Sequence, residues 1–120
     1  MGKEKKTKYP FFQPSSIRLD KKGQKQLARL FKQHLQAHHD ATVYLFGSRT
    51  RLEEKGGDLD LLIISQSALS QAYDLRKELS IAIKDRLGDQ KVDIVIAPSQ
   101  TSEQPAFVRL ALLESVQIWP

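Results

Sequence analysis

The chain has 120 residues, of which 40% are hydrophobic and 28% charged, enough for one domain with its own core, and its formal net charge is +5. The absence of cysteine excludes a disulfide framework and a thiolate metal site, and it suits a reducing cytoplasm. No apolar run approaches the roughly 20 residues that span a bilayer, and the N-terminus lacks the apolar core of a signal peptide. The opening "MGKEKKT" also fails as a myristoylation signal, because Lys6 stands where Ser or Thr is required.

Residues 1–14 form a basic tail, expected to be disordered, ahead of a domain over 15–120. The first eight residues hold four lysines and one glutamate, a pattern of solvated chain ends with at most weak attraction for nucleic acid. "YPFFQP" closes the tail with aromatics suited to packing on the domain edge. Asp20 is placed to cap a helix running to His38, with Leu27, Leu30, Phe31 and Leu35 on one face. "ATVYLFG" (41–47) reads as the first strand and "DLDLLIIS" (58–65) as the second.

Ser70 opens a second helix to Leu87, with Leu75, Leu79, Ala82, Ile83 and Leu87 as its buried stripe and Gly88 as its stop. "KVDIVIAP" (91–98) is the third strand, ended by Pro98. A polar loop leads to a helix from Pro105 to Glu114 and the ending "SVQIWP". The short link between the first two strands predicts an antiparallel pair. The helix between the second and third predicts a parallel pair with a right-handed crossover. The fold class is α/β, a small mixed sheet flanked by helices.

Three carboxylates stand out against this frame. Alternate strand residues share a side, so Asp58 and Asp60 project together, their α-carbons roughly 6.5 Å apart. Asp93 sits near the start of the third strand, and parallel pairing brings it to the same sheet edge. Two ionised carboxylates about 5 Å apart repel by on the order of 3 kcal/mol at an effective dielectric of 20. No lysine or arginine is expected within the strands to offset this. A hard divalent cation such as Mg²⁺ accepts such oxygens together with substrate phosphate, and two ions about 4 Å apart suit phosphoryl transfer.

Gly47-Ser48 ends the first strand, where glycine admits a ligand close to the backbone. A short helix over "RTRLEE" would put Ser48 at a positive helix end, a cradle for phosphate, with Arg49 and then Arg51 in reach of a triphosphate. Taken singly, Gly-Ser is a plain turn and Asp-x-Asp a polar strand entrance; their combination points to a site. His34 and His38, although spaced i, i+4, have no carboxylate to complete a zinc site and are read as structural. Tyr73, Phe107, Val108 and Trp119 are assigned to core or interface, and Arg109 to solvent or an interface. Ser48 is no hydrolase nucleophile, since the G-x-S-x-G elbow is absent.

Gly47-Ser48, the spacer, Asp58-x-Asp60 and Asp93 together resemble the polymerase beta-like nucleotidyltransferase superfamily, which includes family-X DNA polymerases and kanamycin nucleotidyltransferase. The small size is similar to that of the minimal nucleotidyltransferase proteins encoded beside HEPN-domain partners. "LALLESVQIWP" resembles the family's closing helix and strand. The resemblance implies transfer of a nucleoside monophosphate from an NTP, ATP above all, to an acceptor hydroxyl. It implies that Asp58 and Asp60 bind Mg²⁺, that Asp93 completes a second metal site and helps deprotonate the acceptor, and that Gly47 and Ser48 hold the β- and γ-phosphates. The nine residues between Ser48 and Asp58 are one fewer than the family's usual spacer.

With the catalytic core taking nearly the whole sequence, the acceptor is expected on another chain. The favoured expectation is an antitoxin that adds AMP to a tyrosine of a HEPN-type ribonuclease toxin. The alternatives are a binding module that neutralises its partner by contact, a dimeric small-molecule nucleotidyltransferase, and a nucleic-acid adaptor using the lysine tail.

Overall fold

The computed structural model describes residues 19–47, 58–88 and 90–119. The elements are α1 (Lys21–His34), β1 (Thr42–Phe46), β2 (Leu59–Ile64), α2 (Ala72–Leu87), β3 (Val92–Ala97), α3 (Ala106–Leu113) and β4 (Val116–Trp119). One four-stranded sheet has the order β3-β2-β1-β4. β2 pairs antiparallel with β1 and parallel with β3, and β4 pairs antiparallel with β1. The expected mixed α/β sheet is therefore present, with β4, the closing strand, at one edge. The basic tail, with its aromatic ending, lies outside the described residues.

Asp20 caps α1 by accepting the Gly23 N–H at 2.7 Å. The helix stops at His34 rather than at His38. Leu35 donates its N–H back to the Phe31 carbonyl, and turns closed by His38 and Ala41 bring the chain round into β1. Leu27, Leu30, Phe31 and Leu35 are all buried. They meet Val43, Leu45, Leu59, Leu61 and Ile63 from one face of the sheet, with Leu75, Leu79 and Ile83 of α2. α2 starts at Ala72, after a 3₁₀ turn over Leu69–Gln71, instead of at Ser70. Its C-cap is Gly88, whose φ of 100° is open to glycine at little cost.

The opposite face is covered less completely. Leu62, Ala97 and Val108 form a small cluster beneath α3, with Tyr44, Phe46, Ile64 and Val95 half-buried around it. Because strand neighbours alternate, Asp58 and Asp60 lie on the same side as Leu62. Trp119 packs edge-on against Phe31 with ring centroids 5.9 Å apart, and Val108 is buried. Tyr73 and Phe107 are not core residues; they are 68% and 53% exposed.

Candidate active site

Parallel pairing sets Leu59 opposite Val92 and Asp60 opposite Asp93. Asp58 precedes β2 by one residue on the same side. The three carboxylates thus converge, each offering an oxygen within 4.8 Å of the others. Asp58 and Asp60 are half-buried and Asp93 is exposed, so the cluster opens to solvent at Asp93.

Asp60 sits at the centre, and its carboxyl is held above the usual aspartate range. Burial is the largest cause, followed by the charges of Asp93 and Asp58, and a hydrogen bond with the Asp93 carboxyl adds to the effect. Among the described residues one cation opposes it, contrary to the expectation that no basic residue would pair with the cluster. Lys91, immediately before β3, puts its Nζ 3.9 Å from Asp58 Oδ2. Both side chains are well exposed, so the pair is loose and water-screened. Among the described residues it leaves most of the negative charge uncompensated.

Gly47 borders the same cluster. It follows Phe46, which pairs with Asp60 across β1 and β2, and its φ is +78°. A β-carbon built at Gly47 overlaps Asp60 Oδ2. Both the backbone angle and the space therefore require glycine here. Ser48, Arg49, Arg51, the short helix over "RTRLEE" and Gly56-Gly57 lie outside the described residues.

The donor set tests whether a metal ion fits. Three carboxylates with no nitrogen or sulfur ligand make a hard-oxygen site of the kind Mg²⁺ accepts. After burial, the charges of Asp93 and Asp58 raise the proton affinity of Asp60, and a divalent cation would offset that repulsion. On chemistry and electrostatics the residues fit such an ion.

A family model for the nucleotidyltransferase domain matches residues 24–117. The chain belongs to this family. That span takes in the carboxylate cluster, the first three strands and the start of β4, and the mixed sheet is that of the polymerase beta-like nucleotidyltransferase fold. A search of curated proteins returned no match. Family members usually use divalent metals, in keeping with the acidic cluster.

Other residues of interest have structural work. His38 is buried, and its Nδ1 lies 3.0 Å from Ser67 Oγ. Ser67 Oγ in turn donates to Asp40 Oδ1 at 2.6 Å. Asp40 also accepts from the Ser65 hydroxyl and from the backbone N–H groups of Gln66 and Ser67. In the sequence Asp40 carries one signal of this role, an aspartate between a helix and a strand, where carboxylates commonly bind turn N–H groups. Arg109 donates to the Gln104 carbonyl at 2.6 Å, bracing the loop before α3. Among the described residues no helix is long and apolar enough to cross a membrane.

Proposed function

We propose that this nucleotidyltransferase moves AMP from ATP to a hydroxyl on a partner protein, with Asp58, Asp60 and Asp93 as its catalytic and metal-binding residues. The observation that carries this reading is the convergence of three carboxylates in a domain of this family. In the reaction the acceptor oxygen attacks the α-phosphorus and the bond to the bridging oxygen breaks. Pyrophosphate leaves with that bonding pair.

Asp58 and Asp60 are assigned to hold Mg²⁺, with Asp93 shared by a second ion. Bound there, the ions would supply charge neutralisation at the phosphates and at the attacking and leaving oxygens. Asp93, the exposed member, is assigned the proton of the acceptor hydroxyl, which it can release to solvent. Gly47 lets the Asp60 carboxylate lie against the strand end, and it is assigned to phosphate on the family resemblance. Ser48 and Arg49, next along the chain, are assigned to the β- and γ-phosphates on the family resemblance.

The acceptor we favour is a tyrosine of a HEPN-domain toxin, silenced by AMP addition in a type VII-like toxin–antitoxin pair. The similarity to minimal nucleotidyltransferases supports this. The test is to incubate the chain with the HEPN protein encoded beside it, ATP and Mg²⁺, and to read intact mass. One added AMP per acceptor tyrosine is expected, and none with Asp58→Asn. Protection of cells by Asp60→Ala with no AMP added would instead establish neutralisation by contact, the reading that the shortened spacer favours.

A further inference from the structure

The outer edge of the sheet runs beside the acidic cluster. β3 is the edge strand among the described residues. Its Lys91 and Ala97 carbonyls accept from Leu59 and Ser65 on the β2 side, both at 3.0 Å. Backbone direction alternates along a strand, so the N–H and C=O groups of Val92, Ile94 and Ile96 point away from β2, outward along an edge that no other described strand pairs with.

An open groove of about 440 Å³ follows this edge between β3 and α2. Tyr73, Arg76, Lys77 and Ser80 line it from the helix, and Asp93 lines it from the strand. The four helical residues recur at i, i+3, i+4 and i+7, which places them on one face. The acids of α2 (Asp74, Glu78 and Asp85) fall about a quarter-turn or more away and do not line the groove. The helix wall is therefore basic, with one exposed aromatic ring; Val92 and Ile94 face it from the strand, and the Asp93 carboxylate lies just across β3, on the face of the sheet that carries Asp60.

We propose that this groove seats the acceptor polypeptide: an extended, acidic segment that adds as a strand to β3 and delivers its hydroxyl to Asp93. The inference rests on the transferase reading above and deepens it by naming the surface and the class of acceptor. Strand addition satisfies the outward backbone groups of Val92, Ile94 and Ile96, while side-chain pockets supply selectivity. Arg76 and Lys77 select for negative charge on one face of the added strand, and its alternate side chains, the acceptor hydroxyl among them, fall on the face of Asp93. A nucleic-acid acceptor would use the same cations but lacks the alternating N–H and C=O groups that the edge presents.

The test uses immobilised peptides about ten residues long, each with a central tyrosine and ranging from acidic to basic, probed with the full chain. Retention of the acidic peptides is expected, with affinity falling about tenfold in the double variant Arg76→Glu, Lys77→Glu and the charge preference inverting. Arg76→Gln with Lys77→Gln gives the same direction should the charge reversal disturb folding. N-methylation of alternate peptide amides should weaken binding in one parity only, as strand pairing requires. The Mg²⁺–ATP thermal shift of the double variant should match that of the unaltered chain.

Indifference to peptide charge, equal loss in both methylation parities, or displacement of the peptides by single-stranded RNA at lower concentration would overturn the proposal. Loss of the Mg²⁺–ATP shift in the double variant would also overturn it, by placing Arg76 and Lys77 at the nucleotide. Peptide binding without AMP addition separates the two readings: it removes the transferase function and leaves the groove as a docking site for an acidic strand.

Discussion

Asp40 and Asp60 present the same carboxylate at opposite ends of β2 and meet opposite surroundings. Asp40 accepts hydrogen bonds from two serine hydroxyls and two backbone N–H groups, and these hold its carboxyl well below the usual range against the opposing cost of burial. Asp60 is partly buried and faces two further carboxylates, with one loose lysine nearby among the described residues, and burial first and the charges second push it up. At one end of the strand the charge is already satisfied and ties three segments together. At the other, carboxylates converge in an arrangement that could hold a metal ion. Carboxylate type and spacing alone do not separate these cases; the donors around each carboxylate do.

The sharpest way to break the contrast is Asp60→Asn. Transfer should fall by about a thousandfold, or about 4 kcal/mol of transition-state stabilisation, in a mass assay of AMP incorporation. The equivalent change at Asp40 should leave the rate per folded molecule near that of the unaltered chain. Gly47→Ala comes next. Strain at positive φ and overlap with Asp60 should cost about 2 kcal/mol in urea unfolding and should weaken the Mg²⁺–ATP thermal shift as well.

Asp40→Ala should cost about 1.5 kcal/mol in the same unfolding assay, chiefly because the fully buried Ser65 loses its acceptor. The Mg²⁺–ATP shift should remain, which is the point at which the two ends separate. A smaller effect of opposite sign is expected without metal. Asp60→Asn should stabilise the unliganded fold by about 1 kcal/mol, since it removes a repelled charge.

The pH dependence divides in the same way. Asp40 holds its proton less readily folded than unfolded, so its contribution is present above about pH 3.9 and is lost as pH falls below that value. Asp60 holds its proton more readily folded, so stability should decline as pH rises above about 3.9 toward its elevated native value. Urea midpoints measured without metal should show Asp40→Ala flattening the acid limb and Asp60→Asn flattening the decline above it. If both variants alter the same limb, the contrast between the two ends is wrong.

Much of the architecture was legible before the fold was known, because it depends on local periodicity. The apolar stripe of α1, the cap at Asp20, the stop at Gly88 and the side shared by Asp58 and Asp60 all follow from neighbours within a few residues. The helix between β2 and β3 was enough to imply parallel strands and so to bring Asp93 alongside Asp60. Other features arise where distant segments meet. The early end of α1, the Asp40 network joining residues more than two dozen positions apart, the Lys91–Asp58 pair and the basic groove beside β3 are products of packing. Burial and the charge environment of a carboxylate belong to this second group. They depend on three-dimensional distance, which sequence spacing specifies within an element but not between elements. The sequence by itself determined which aspartates could converge; the tertiary structure decided that Asp60 is held protonated more readily and Asp40 less.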